Sequence, residues 1–169
     1  AFTIFSSAVF AGPKSTTLRF SNIAGPTSFM TTDLFGNYFE DIEKRTDGKL
    51  KIKMFSGGTL VSAKDTSDAV EQGLVDMAWG VTSYTPGRFR ELEVAEVPLY
   101  ASDIYEASVG LWTLYENGLI KGFDNVHVFA ILSSGIQRLH STKPLTSFTA
   151  LEGERYRAAG PLAAKSLEA

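Results

Sequence analysis

The sequence predicts an α/β protein in which a parallel sheet is connected by crossover helices. Three observations carry that prediction. Two segments, Thr17–Ile23 and Lys49–Phe55, alternate apolar with polar residues. Between them apolar side chains recur three and four residues apart, and a nearly continuous apolar run, Val75–Val81, follows a second short helical segment. Strand, helix, strand, helix, strand in that order implies parallel neighbours, because parallel strands need connections long enough to hold a helix.

Each element has its own signal. In Thr17–Ile23, Leu18 and Phe20 oppose Arg19 and Ser21, and Gly25-Pro26 ends the strand. From Thr27, Leu34, Phe35, Tyr38, Phe39 and Ile42 form one helical face and Asp33, Asn37, Glu40, Asp41 and Lys44 the other, with a stop near Asp47-Gly48. Lys49–Phe55 turns Leu50, Ile52 and Met54 inward and three lysines outward, the pattern of a solvent-facing or edge strand. Ser62 with Asp65 resembles a capping box opening a short helix that Gly73 closes. The run Val75–Val81 suits a strand buried on both faces.

The second half is less regular. Tyr84–Tyr100 is turn-rich and then irregular. Ser102–Asn117 reads as a helix with Ile104, Ser108, Leu111, Trp112 and Tyr115 on one stripe and Gly118 as its stop. Val126–Ser134 reads as a second buried strand, Ile136–Ser141 as its continuation past a kink at Gly135, and Arg155–Ala158 as a short further strand. Pro161–Ala169 reads as a helix without a stop signal. At the front, Ala1–Ala11 is an uncharged apolar run too short to span a bilayer. It reads as the tail of a secretory signal cut after Ala11, or as a first buried strand, and the loop chemistry of Gly12-Pro13-Lys14 favours the signal. The expectation is a chain cut at both ends.

Composition excludes several functions. A chain of 169 residues, 44% hydrophobic and 21% charged, has the apolar content to fold around a core. Its 19 acidic and 16 basic residues, with no Lys/Arg run, argue against a nucleic-acid partner, whose affinity rests on neutralising phosphates. The absence of cysteine excludes a thiolate nucleophile, a Cys-ligated zinc and an iron–sulfur cluster, and says nothing about compartment. No nucleophile elbow, P-loop, zinc-protease or dinucleotide motif is present. His127 and His140 lack acidic partners for a metal set, and Glu91 and Glu93 read as a solvated stretch, so neither a metal nor a cofactor is expected.

Binding chemistry gathers where strands end and helices begin, since helix N-termini offer free N–H groups there. Asn22–Phe29 brings a Gly-Pro turn and hydroxyls, Trp79–Tyr84 brings aromatic rings with Thr82 and Ser83, and Arg157–Pro161 brings a guanidinium ahead of a helix. Together these describe an anion pocket with Arg157 as its anchor, because a guanidinium fork matches a carboxylate. Arg155 is its rival, and an ion pair with Glu152 or Glu154 is the plain structural alternative. Trp79 and Tyr84 equally suit core packing.

Five segments in order resemble the solute-binding proteins of tripartite ATP-independent periplasmic (TRAP) transporters, of the C4-dicarboxylate-binding type. They are LRFSN with its Gly-Pro turn, TDGKLKIKMFSGGTL, AVEQGLVDMAWG, YTPGRF with EVAEVPLY, and LEGERYRAAGP. The resemblance implies a periplasmic-binding-protein fold of two α/β lobes closing over an organic acid, with the acid passed to the TRAP permease subunits and no membrane span in the binding protein itself. It implies a periplasmic location, and a chain about twice this long. The domains would then be a signal remnant at 1–11, a first lobe at 12–133, and a crossing with the start of a second lobe at 134–169. The family's carboxylate-binding arginine falls on Arg157, although Ala158-Ala159-Gly160-Pro161 places the proline later than the family pattern. A second polar contact falls on Gln137, with Arg138 as its rival if the register slips by one. Val81 stands where relatives often have a polar contact. With Phe29, Trp79 and Tyr84 it favours a ligand with an apolar or aromatic body, held also by Asn22 and Ser83. A periplasmic sensor module and a small-molecule enzyme remain the alternatives.

Overall fold

The computed structural model describes residues 15–96, 101–134 and 138–168. Its contacts divide between Gly80 and Val81 into two compact units. The expected signal remnant lies outside the described residues, as do 97–100 of the irregular stretch and 135–137 at the expected lobe crossing.

The first unit is the parallel sheet. Strand β1 (Thr16–Asn22) lies between β2 (Leu50–Phe55) and β3 (Met77–Trp79), both parallel to it. Phe20 faces Met54 on one side and Met77 on the other. The predicted helix between β1 and β2 forms as a π-helical stretch, Met30–Gly36, running into α1 (Asn37–Arg45). The wider π turn shifts the phase of the apolar face. As a result Phe35 and Phe39 pack on Phe20, at 4.8 and 4.9 Å between ring centres, while Leu34 and Tyr38 are exposed. On β2 the lysines stay outward, and Lys51 pairs with Glu43 of α1 at 2.8 Å.

Helix α2 (Thr66–Glu71) opens one turn differently from the expected box. The Ser62 hydroxyl donates to the Asp65 carboxylate rather than to a backbone group, and Thr66 bonds back to the Ser62 carbonyl at 3.0 Å. The run expected as a strand buried on both faces gives only the three residues of β3, which are half-buried because β3 lies at the edge of this sheet. Its register is fixed by Arg19. The Arg19 backbone N–H and Nε both donate to Asp76 Oδ2, at 2.7 and 2.9 Å, and Nη2 donates to the Gly73 carbonyl at 3.2 Å.

The second unit packs around Phe89, Leu92, Leu111 and Ile120. Phe89 and Leu92 come from the stretch expected to be irregular, which forms a 3₁₀ helix at Arg90–Glu96. Helix α3 (Ile104–Glu116) starts at Asp103, whose carboxylate accepts the Glu106 N–H at 2.8 Å. Glu106 reaches back to the Ser102 N–H at 2.9 Å and to its hydroxyl, and these bonds hold its carboxyl below the usual glutamate range. The buried line on α3 runs through Ala107 and Leu111, whereas Ile104 is exposed, so the helix is rotated from the expected stripe. Gly122, at φ 94°, has room for no side chain, since a Cβ would sit 2.7 Å from the Arg88 carbonyl.

Three expected strands, Val126–Ser134, Ile136–Ser141 (of which 138–141 are described) and Arg155–Ala158, do not form among the described residues. Val126–Ser134 leaves Phe129 and Leu132 exposed. The Ser133 N–H bonds the Ser108 hydroxyl at 3.0 Å instead of a ladder carbonyl. Arg155–Ala158 likewise pairs with no strand among the described residues and leads into α4 (Pro161–Glu168). An apolar or alternating pattern becomes a strand only where a neighbour satisfies its backbone.

The bonds from Arg19 hold the Asp76 carboxyl below the usual aspartate range. A depressed folded value means stability that is present above the unfolded value, about pH 4, and lost as pH falls through the folded one. Thermal melts against pH in the intact protein should therefore show the wild type above Asp76→Asn near neutrality, with the gap closing in acid. A gap that does not change with pH would contradict this.

Candidate functional site

In the second unit the chain enters a 3₁₀ turn at Thr82–Tyr84. Its Tyr84 N–H is bonded to the Val81 carbonyl at 3.0 Å, which fixes where the tyrosine leaves the backbone. The segment leading into α4 comes to the same place. Arg157 Nη2 donates to the Tyr84 hydroxyl oxygen at 2.6 Å. Gly160 lies so close to Ser83 that an added Cβ would be 3.0 Å from the Ser83 Cβ. Pro161 then opens the helix, where its missing N–H is not needed, and Gly160 accepts the Ala164 N–H at 3.0 Å. Arg157, Tyr84 and Ser83 are thus assembled from segments more than 70 residues apart.

The guanidinium is exposed, while Tyr84 is half-buried. Among the described residues Arg157 pairs with no carboxylate. Glu154, one of the two expected structural partners, is held by Lys143 at 2.6 Å. A guanidinium has five N–H donors in a planar fork, so a single bond to Tyr84 leaves the fork open to an incoming carboxylate. The adjoining cavity, lined by Thr82, Ser83, Thr85, Phe89 and Pro161, measures about 10 Å³. That is room for one water rather than an acid, so it is the exposed guanidinium that offers binding chemistry here.

The remaining expected site residues are placed differently. Asn22 is fully buried at the end of β1, and its amide is used within the first unit. Nδ2 donates to the Thr31 hydroxyl at 2.8 Å, and Oδ1 accepts the Ala24 N–H at 2.9 Å. Thr31 in turn donates to the Gly25 carbonyl at 2.7 Å, so Asn22 shapes the Gly-Pro turn from inside. Trp79 is half-buried and packs on Phe35 at 6.1 Å, and Phe29 is exposed just ahead of the π-helical stretch. Arg138 is exposed, and Gln137 lies outside the described residues. The sequence reading missed the hydroxyl of Tyr84 as Arg157's partner, and nothing in the local pattern marks a pairing across so many residues. His127 and His140 are exposed, and among the described residues no three His, Cys, Asp or Glu side chains are grouped to hold a metal. No helix among the described residues is long and apolar enough to cross a membrane.

Residues 20–169 match the bacterial extracellular solute-binding proteins, family 7. The chain belongs to that family. A TRAP periplasmic solute-binding protein from Desulfovibrio salexigens, solved as an open complex, is 30% identical with a TM-score of 0.72, over 90% of this chain and 47% of that one. A marine metagenome TRAP solute-binding protein specific for aromatic acid ligands, solved with 3-hydroxybenzoate, shares the fold at a TM-score of 0.80 and 22% identity, over 92% of this chain and 49% of that one. A Bordetella bronchiseptica TRAP periplasmic solute-binding protein with bound (R)- and (S)-mandelate is 30% identical at a TM-score of 0.52, over 60% of this chain and 32% of that one. This family 7 chain spans about half the length of the first two relatives. Its parallel sheet with connecting helices is the α/β architecture expected from sequence.

Burial decides the role of Asn22. Removing its amide leaves the Ala24 N–H without its acceptor and takes the Asn22 donor from the Thr31 hydroxyl, a loss of about 1–3 kcal/mol. Urea unfolding of the intact Asn22→Ala protein should show that loss, and unchanged stability would mean the amide is not structural.

Proposed function

We propose that this protein captures a small organic acid in the periplasm and delivers it to a TRAP permease, as a binding protein rather than an enzyme. The observation that carries this reading is the exposed Arg157 guanidinium, oriented by Tyr84 and, among the described residues, paired with no carboxylate. A charged group placed in that way, in a family of extracellular solute-binding proteins, is suited to an anionic solute. The relatives solved with 3-hydroxybenzoate and mandelate support a carboxylate as the recognised group, and an aromatic body as one it could carry.

Binding would proceed in two physical steps. The carboxylate exchanges its hydration for the open edge of the Arg157 fork, a bidentate and charge-assisted pair. Water is then excluded around that pair, which strengthens it, because opposite charges attract more in a medium of lower dielectric. Release requires water to return. This cycle moves no proton and breaks no covalent bond, consistent with transport rather than turnover.

Removing one partner of a buried charge pair costs about 3–5 kcal/mol, which weakens binding at least about a hundredfold. Calorimetry on the intact protein with 3-hydroxybenzoate, mandelate and succinate should find at least one acid that binds the wild type and is lost by Arg157→Ala to that extent. Arg157→Lys should also bind poorly, since an ammonium does not reproduce the fork. Equal affinity in the wild type and Arg157→Ala would remove Arg157 from the site.

A further inference from the structure

We propose that Tyr84 is a positioning residue for capture: its hydroxyl holds the Arg157 guanidinium in place before a ligand arrives and so strengthens the binding of every carboxylate alike, without touching any of them. This rests on the reading of Arg157 as the carboxylate anchor. The main chain on both sides of the contact is held by other means. Tyr84 leaves a 3₁₀ turn closed by its own N–H on the Val81 carbonyl. Gly160, a few residues after Arg157, meets Ser83 so closely that a Cβ would be 3.0 Å from the Ser83 Cβ and 3.3 Å from its carbonyl oxygen. What is left to order is the arginine side chain, whose rotamers are numerous when nothing holds it.

The hydroxyl, rather than the ring face, does the holding. Nη2 is 2.6 Å from the phenolic oxygen, whereas the central carbon of the guanidinium is 5.5 Å from the ring centre, near the outer range for a cation over a ring. Nη2 carries two hydrogens, and each edge of the fork uses one of them, one edge with Nε and the other with Nη1. The bond to Tyr84 takes one hydrogen, so one edge keeps both of its donors. Arg19 shows what such an edge does with an acid of its own, since its Nε and Nη2 donate to Asp76 Oδ2 and Oδ1 at 2.9 and 3.3 Å. Arg157 pairs with no carboxylate among the described residues, and its edge stays open. Ordering the arginine beforehand removes that cost from the binding step. The gain belongs to the arginine and is therefore the same for each acid.

The test is Tyr84→Phe in the intact protein, which keeps the ring and removes the hydroxyl. Calorimetry with 3-hydroxybenzoate, mandelate and succinate should find each acid that binds the wild type weakened about three- to tenfold, by factors that agree within about twofold. Nitrogen-15 relaxation at Arg157 Nε in the ligand-free protein should show an ordered side chain in the wild type and a mobile one in the variant, and saturating acid should order both. A tyrosine that only supports the fold would lower the melting temperature and leave the motion of Arg157 unchanged. The proposal is overturned by unchanged affinities, by an Arg157 equally mobile with and without the hydroxyl, or by factors that differ from acid to acid, which would mean that the hydroxyl meets the ligand. Any of these results, with the acids lost by Arg157→Ala, would leave the anchor standing. Acids bound as well by Arg157→Ala, or none bound by the wild type, would overturn the anchor and with it this role for Tyr84.

Discussion

The functional account depends on one hydrogen bond, from Arg157 to the hydroxyl of Tyr84. A surface arginine has many rotamers, and an arginine that must first be ordered spends part of its interaction with a ligand on that ordering. Here the tyrosine supplies the order in advance. It is half-buried, leaves a short 3₁₀ turn, and sits beside the close approach of Ser83 to Gly160. The charge stays exposed, which is what a group meant for a solute requires. Glu154 is held by Lys143, so the neighbouring acid does not neutralise it.

The first unit shows the opposite use of polar groups. Asn22 and Thr31 are buried and spend their hydrogen bonds on shaping the turn after β1, where unmade bonds would be expensive. Arg19 and Asp76 lie at the surface and set the alignment of β3 against β1. Polar residues therefore serve two ends in one chain. Those whose bonds close within the fold are structural, and Arg157, with donors left open, faces solvent.

That distinction explains how much was legible in the sequence. Alternation and helical spacing located β1, β2, α1 and α3, which bury part of one face although α3 is turned from its expected stripe, and α4 was located by its pattern without burying any residue. The edge position of β2 was also readable from its lysines. What the pattern could not carry was pairing. Val126–Ser134 has the composition of a buried strand and forms none among the described residues, and β3 pairs with β1 over only three residues although its run is as apolar as a buried strand. The phase shift in the first helix arises from one π turn that local spacing does not announce. At the site, Arg157 stood out by chemistry and by resemblance, and Tyr84 was noticed for its ring. That the hydroxyl meets the guanidinium is a tertiary fact across 73 positions. Asn22 looked like a ligand contact because it is polar and ends a strand, and only its burial shows where its bonds go.

The most direct test of the central claim is an electron-density map of the intact protein with a bound organic acid. The account predicts both carboxylate oxygens within hydrogen-bond distance of the Arg157 fork, on the edge not taken by Tyr84. A carboxylate held by other residues, with Arg157 turned to bulk water, would contradict it.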